Sequence, residues 1–185
     1  MSYPREEIEE TVERWLAANK RAEELGDWTV MADMYTEDAT YGWNYGPDTE
    51  FMAIGRDEIR EYALGVEMAG LGGWEYPYQA KIIDPEQGYF VGFWKQVAGG
   101  TREDGTPYEI AGIGGSWFHY GGNHQWDWQR DWFDYGNAAA LFIELMQLGT
   151  LSDGMMERMS RPLVHGQNGL YPVHKAPVGL WDLPT

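Results

Sequence analysis

Residues 108–133 decide the fold, and they read YEIAGIGGSWFHYGGNHQWDWQRDWF. On both sides of the Gly-Gly-Asn turn at 121–123, large side chains alternate with small or polar ones. This period of two is typical of antiparallel strands that have one buried face. The same pattern begins upstream, after Tyr76, with Gly- and Pro-containing turns between its segments. Four consecutive strands are therefore predicted, at 78–83, 89–97, 108–120 and 125–133.

Helical patterns lie on either side of this strand region. Apolar residues recur at helical spacing in four segments, which are 5–25, 28–35, 56–69 and 138–148. A run of helices followed by a run of antiparallel strands predicts an α+β fold. We expect a cone-shaped, curved antiparallel sheet with the N-terminal helices packed on its concave face. The expected domain is 1–149, and 150–185 is interpreted as a C-terminal extension, an arm that could form an interface or cover a pocket.

Composition limits the classes of partner. The chain of 185 residues has 30 acidic and 13 basic side chains, a formal net charge of −17 at pH 7. Such a surface repels phosphate backbones and anionic lipid head groups, so we expect neither a nucleic-acid nor a membrane partner. There are no cysteines, and no grouping of His, Asp and Glu has metal-ligand spacing, so no metal is expected. No secretory signal is recognised at the N-terminus, and a cytoplasmic location is expected by default.

Aromatic residues make up 15% of the chain, with ten Trp and twelve Tyr. An ordinary core does not need so many rings that carry a polar atom. Some of them are therefore expected to line a ligand site or a subunit interface.

Three short motifs occur in a characteristic order, and they are Tyr35-Thr-Glu-Asp-Ala-Thr-Tyr41, Gly55-Arg-Asp-Glu-Ile59 and Arg130-Asp-Trp-Phe-Asp134. With the helices and strands between them, the chain resembles the nuclear transport factor 2-like superfamily. Within that superfamily it is most similar to the SnoaL-like and limonene-epoxide-hydrolase-like members. The resemblance spans residues 5–136 and implies the cone-shaped fold described above. It also implies a relationship to dehydratases and lyases that act on aromatic compounds.

The epoxide hydrolases of this type hold a water molecule with an Arg, two Asp, a Tyr and an Asn. Asp131 corresponds to their last-strand aspartate and Tyr41 to their first-strand tyrosine. Trp43 stands in place of the asparagine, while Trp94 and Gln96 stand in place of the arginine and the second aspartate. Three of the five polar positions are changed, so the water-activating network of those enzymes cannot be assembled here.

Strand alternation sorts the side chains of 125–133 by face. If Asp131 points into the cone, then Asp127, Gln129 and Phe133 share its side. The outer face then carries Trp126, Trp128, Arg130 and Trp132. Such a face is costly to expose, so we expect a homo-oligomer, a dimer or trimer, that buries it. The alternative is that the helix at 138–148 covers it.

The same alternation predicts the wall of a deep pocket. The predicted substrate-binding residues are Trp43, Tyr45, Trp94, Gln96, Gly112, Gly114, Ser116 and Gln129. The glycines, together with Gly92, are expected to leave room for a large, flat aromatic substrate. Burial raises the pKa of a carboxyl group, so Asp131 is the predicted acid–base residue. Tyr41 is predicted to be catalytic as a donor to a developing oxyanion.

These observations predict a cofactor-independent acid–base enzyme that acts on a hydrophobic, aromatic small molecule. The preferred class is a lyase, because dehydration, retro-aldol cleavage or loss of a small fragment needs proton transfers alone. Two alternatives stay open at this point. One is an epoxide hydrolase with a rebuilt water site, and the other is a non-catalytic ligand-binding or assembly module. An open cavity next to Asp131 favours an enzyme, and a cavity filled by Trp and Tyr favours assembly.

Overall fold

The computed structural model describes residues 3–184. Its main sheet has seven strands in the order β3-β4-β7-β8-β1-β2-β9. These strands are β1 (Tyr35–Asn44), β2 (Thr49–Ile54), β3 (Tyr78–Asp84), β4 (Tyr89–Trp94), β7 (Gly114–Gly122), β8 (Gln125–Trp132) and β9 (Leu170–Pro172). Neighbouring strands are antiparallel except for β1 and β8, which run parallel. The predicted α+β class with a curved antiparallel sheet is confirmed.

The N-terminal helices cover one face of this sheet. Helix α1 (Arg5–Leu25) places Trp15 against Phe118 of β7, with ring centroids 4.9 Å apart. The helix ends at Gly26, whose left-handed φ of 65° lets its N–H reach the carbonyls of the last turn. The predicted helix at 28–35 is a 3₁₀-helix, Trp28–Met34, capped by the Asp27 side chain. The predicted helix at 56–69 is shorter, with an α-helical turn α2 (Arg56–Glu58) that continues as a π-helix, Ile59–Val66.

Two of the predicted strands are interrupted. The strand expected at 89–97 ends at Trp94, and Val97–Thr101 (β5) forms a separate two-stranded sheet with Pro107–Glu109 (β6). The strand expected at 108–120 begins only at Gly114. The strand is broken at Gly112, which has a φ of 112°. Glycine adopts this conformation readily, but an extended strand does not contain it.

A β-bulge changes the face of Trp126. His119 pairs with Trp128 and Tyr120 pairs with Trp126, so Asp127 has no partner in the register. The extra residue reverses the face to which each preceding side chain of β8 points. Trp126 is therefore fully buried in the core, 5.0 Å from Phe118 between ring centroids, and the prediction that it faces outward is wrong. Asp127 lies with His119, at 2.7 Å, and not on the side of Asp131 as expected.

The outer face of β8 is covered from within the chain. The indole of Trp128 donates to the carbonyl of Asp182 at 2.9 Å, and the guanidinium of Arg130 donates to the carbonyl of Leu180 at 3.1 Å. A C-terminal arm, and not the helix at 138–148, thus buries both side chains. Trp132 remains 37% exposed. Of these tryptophans, only Trp132 still favours an oligomer, which stays a prediction.

The remaining helices follow the last long strand. They are α3 (Tyr135–Gln147) and α4 (Asp153–Ser160), the latter capped by Ser152. The extension includes β9, which pairs with β2 and adds the seventh strand at that edge of the sheet. Within residues 3–184, every helix is too short or too polar to cross a lipid bilayer.

Candidate functional site

A cavity of about 100 Å³ lies between the inner face of the sheet and the N-terminal helices. Its walls are mainly aromatic and include Trp15, Trp28, Tyr35, Tyr76, Tyr78 and Trp94. Asp131 is among the few charged side chains that reach this space. The sheet register brings Asp131 beside Trp43 of β1 and Ser116 of β7, so the two neighbouring strands hold it from both sides.

Asp131 accepts two side-chain hydrogen bonds. The hydroxyl of Tyr41 donates to Oδ2 at 2.5 Å, and Nε2 of Gln129 donates to Oδ1 at 2.8 Å. Oε1 of Gln129 in turn accepts a hydrogen bond from the buried hydroxyl of Tyr35. The amide of Gln129 is thereby oriented so that its N–H groups face the carboxyl group.

Burial decides the protonation of this group. Removal from water raises the pKa of Asp131, and the neighbouring polar groups of Gln129, Ser116 and Tyr41 lower it by less. Burial, together with the charge of Asp131, also raises the pKa of Tyr41 well above its usual range. Tyr41 therefore stays a proton donor, while the pKa of Asp131 lies above that of an exposed aspartate.

The other predicted wall residues are mostly in place. Trp43, Trp94, Gln96, Ser116 and Gln129 all line the cavity. The indole of Trp94 donates to Oγ of Ser116 at 2.9 Å. Gln96 lies beyond the end of β4 and donates to the hydroxyl of Tyr76 at 2.7 Å. Its partner is thus Tyr76, whereas Asp131 is held by Tyr41 and Gln129.

The predicted glycines play a different part. A Cβ atom on Gly114 would lie 2.3 Å from the ring of Trp94, and one on Gly92 would lie 2.2 Å from the ring of Tyr78. The space at these glycines is therefore filled by aromatic rings, and the expectation that it is open to substrate is wrong. Gly112 lies outside the main cavity in an exposed bend. Tyr45 lines a neighbouring cavity and not this one.

Solved structures share the fold of this chain. An NTF2-like (nuclear transport factor 2-like) protein from Anabaena variabilis superposes with a TM-score of 0.54 at 16% identity, covering 72% of this chain and 94% of its own. One of unknown function from Burkholderia pseudomallei gives a TM-score of 0.51 at 12% identity, covering 71% and 96%. This chain has the NTF2-like fold.

A third structure with the NTF2-like fold is TerC, which was co-crystallised with polyporic acid. It superposes with a TM-score of 0.50 at 16% identity, covering 71% of this chain and 96% of its own. No protein-family model matches the sequence, and no curated protein matches it. These structures cover nearly all of their own length and at most 72% of this chain. More than a quarter of the chain thus lies outside the shared NTF2-like fold.

One charged cluster beside the cavity was not predicted from the sequence. Glu67 is buried, and its carboxylate contacts Arg158 at 3.0 Å and Arg161 at 2.7 Å. Helix α4 brings the arginines there by docking against Gly70, where a Cβ atom would lie 2.2 Å from the N atom of Met155. The i, i+3, i+4 spacing of Met155, Arg158 and Met159 does mark one face of a helix in the sequence. Nothing local to the sequence indicates that this face meets Glu67.

Proposed function

We propose that this protein is a cofactor-independent enzyme in which Asp131 transfers protons to and from a hydrophobic, aromatic small molecule. The observation that carries the proposal is a buried carboxyl group whose pKa is raised, beside free space in an aromatic-lined cavity. A strongly perturbed titratable group in a cleft is the usual mark of an acid–base site. The preferred class is a lyase.

Lyase chemistry needs only one group that gains and returns a proton. In a retro-aldol cleavage, the carboxylate of Asp131 would take the proton of a substrate hydroxyl group. The C–C bond then breaks, its electrons form an enolate on the adjacent carbonyl fragment, and Asp131 returns the proton to carbon. In a dehydration, Asp131 would take a proton from carbon and give it to the departing hydroxyl, which leaves as water. The carboxylate is regenerated in both cases, so no cofactor is consumed.

Tyr41 and Gln129 have supporting roles in this proposal. Both donate to Asp131, so they stabilise its ionised form after a proton leaves it. The high pKa of Tyr41 keeps its hydroxyl protonated, which lets it act as a donor to Asp131 or to a developing oxyanion. A small-molecule ligand is consistent with the fold, since TerC was co-crystallised with polyporic acid.

The test begins with a thermal-shift screen of hydroxylated and carbonyl-bearing aromatic compounds, followed by turnover assays on the compounds that bind. Asp131→Asn preserves the shape and removes the proton transfer, so kcat is expected to fall by about 10²–10⁴. Asp127→Asn is the matched control, because Asp127 is on the same strand but pairs with His119 outside the cavity. Turnover by Asp131→Asn within a few-fold of the wild-type rate would overturn the assignment.

A second candidate is a binding module without chemistry. It is favoured by the rings of Tyr78 and Trp94, which fill the space at Gly92 and Gly114 and leave only about 100 Å³. A cavity of about 150 Å³ is known to hold benzene, so this space alone is small for an aromatic substrate. The two candidates differ in one result: a module binds its ligand equally well with Asp131→Asn and never converts it.

A further inference from the structure

A second cavity, of about 220 Å³, adjoins the first. The two share Gln96, Phe133 and Arg158 in their walls. The rest of the second cavity is built by α3 and by the chain after it, which contributes Met155, Met159, Arg161 and Leu163. Its volume exceeds the roughly 150 Å³ that holds benzene, so it accepts a group for which the first cavity has no room.

The charge of this cavity is opposite to that of the protein. Arg158 and Arg161 line it, and no Asp or Glu is among the described residues of its wall. Glu67, the carboxylate that pairs with both arginines, belongs to the wall of the first cavity. Two guanidinium groups against one carboxylate leave an excess of one positive charge in a chain whose net charge is −17. Partial burial strengthens the attraction of that charge for an anion, because less water screens it.

Arg161 also keeps donors that Glu67 does not use. Arg161 contacts Glu67 through Nη2, and within residues 3–184 its Nε and Nη1 have no protein acceptor. A guanidinium presents its N–H groups in a planar fork that fits a carboxylate in two parallel hydrogen bonds. The phenol of Tyr45 lies in the same wall as a further polar group.

The remaining wall is apolar. Phe133, Phe142, Ala138, Met155 and Met159 face the same space as the arginines. A small inorganic anion would leave these surfaces without a partner. A hydrophobic group that carries a carboxylate would satisfy both the guanidinium groups and the apolar wall.

We propose that the second cavity binds the carboxylate end of an aromatic carboxylic acid, with Arg161 and Arg158 as the residues that select it. The reacting end of the same molecule then reaches Asp131 through the shared wall at Gln96 and Phe133. That second statement rests on the proposed function, whereas the binding of the carboxylate does not. The substrate class is thereby narrowed from aromatic compounds to aromatic carboxylates that span both cavities.

The experiment compares 3-phenylpropionate with 3-phenylpropionamide, which has the same shape and no charge, by titration calorimetry. The wild-type protein is expected to bind the carboxylate about tenfold more tightly, the typical value of one charge-assisted hydrogen bond in excess of a neutral one. Arg161→Met is expected to abolish that preference and to leave amide binding unchanged. Arg60→Met, at an exposed arginine that pairs with Asp33 and Asp57, is the matched control and should alter neither affinity.

A second variant covers the case in which Arg161→Met does not fold. Leu163 is 50% exposed at the rim of the cavity, so Leu163→Glu adds a negative charge there without disturbing the core. It should weaken binding of the carboxylate several-fold and spare the amide. Equal binding of the two probes by the wild type, or no binding of either at millimolar concentration, would overturn the proposal.

Asp131→Asn separates this proposal from the proposed function. The variant should retain the preference for the carboxylate, because Asp131 lies in the first cavity only. If it retains the preference and also retains full turnover, the acid–base assignment fails and the carboxylate site stands. If the wild type shows no preference while Asp131→Asn loses turnover, the carboxylate site fails and the acid–base assignment stands.

Discussion

Arg130 and Asp131 are neighbours on β8, where Arg130 is buried and Asp131 is partly buried at the cavity, and the two faces of the strand use their charges differently. Arg130 donates to the carbonyls of Thr40, Gln129, Gly179 and Leu180, and its guanidinium lies 4.5 Å from the ring centre of Trp128. Burial lowers the pKa of Arg130 to about 10. Asp131 has two side-chain donors and faces free space. Burial alone therefore does not distinguish these two charged side chains, whereas access to a cavity does.

We therefore expect the outer face to contribute to stability alone, and the inner face to contribute to stability and, under the proposed function, to chemistry. Substitutions on β8 test both expectations.

Trp126→Ala is expected to be the most destabilising change on the strand. Trp126 is fully buried against Phe90 and Phe118, so removing its ring leaves a large void and costs about 3–5 kcal/mol. Trp132→Ala, at a ring that is 37% exposed, should cost about 1 kcal/mol or less. Urea unfolding followed by circular dichroism measures both. Similar losses for the two variants would mean that the bulge at Asp127 is absent and that Trp126 faces outward.

Arg130→Leu is expected to destabilise the protein by about 2–3 kcal/mol, since several backbone carbonyls lose a donor and stay buried. The clearest effect of this substitution is expected in the C-terminal arm. Gly179, Leu180 and Asp182 are held to β8 by Arg130 and Trp128, so the arm should become open to proteolysis. Limited digestion followed by mass spectrometry measures this release. An arm that stays protected in Arg130→Leu would show that other contacts hold it.

Asp131→Asn is expected to change stability little near pH 4, and its effect should grow as pH rises. Because the folded state raises the pKa of Asp131, the folded protein holds a proton that the unfolded chain has lost above about pH 4. The free energy of unfolding of the wild type therefore falls as pH rises from there through the folded pKa. Asn cannot ionise, so the free energy of unfolding of the variant does not fall in this way. Relative to the wild type it should increase by about 1.4 kcal/mol for each unit by which folding raises the pKa of Asp131.

Thermal or urea unfolding of both proteins between pH 4 and pH 8 gives this difference directly. Asp127→Asn serves again as the control, as the carboxyl group of Asp127 is partly exposed. If the difference between Asp131→Asn and the wild type is flat across this range, Asp131 is not desolvated in the folded protein. The contrast with Arg130 would then rest on cavity access alone.

Local sequence patterns were sufficient to predict the strands and the two faces of β8. The period of two after Tyr76 predicted the antiparallel strands, and alternation on β8 placed Gln129 and Asp131 on one side and Trp128 and Arg130 on the other. Both predictions use the pleat, which repeats every second residue whatever the strand contacts. The three motifs also led to the NTF2-like fold, which the solved structures confirm.

Other features depend on contacts that are distant in the chain. The bulge at Asp127 arises between two strands and reverses the face of Trp126, which no alternation within one strand can show. The glycines at 92 and 114 looked like open space, but rings from other positions occupy it, because a side chain's direction is decided by what packs beside it.

The sequence by itself determined the fold class, the strand that carries Asp131 and the side of that strand on which it lies. Only the tertiary structure decided that Arg158 and Arg161 meet Glu67, that the C-terminal arm covers Trp128, and that a second cavity adjoins the first. The physical reason is that local periodicity depends on backbone geometry within a few residues. A cavity and its charge depend instead on the packing of segments that are far apart in the chain, and that packing is settled only when the chain folds.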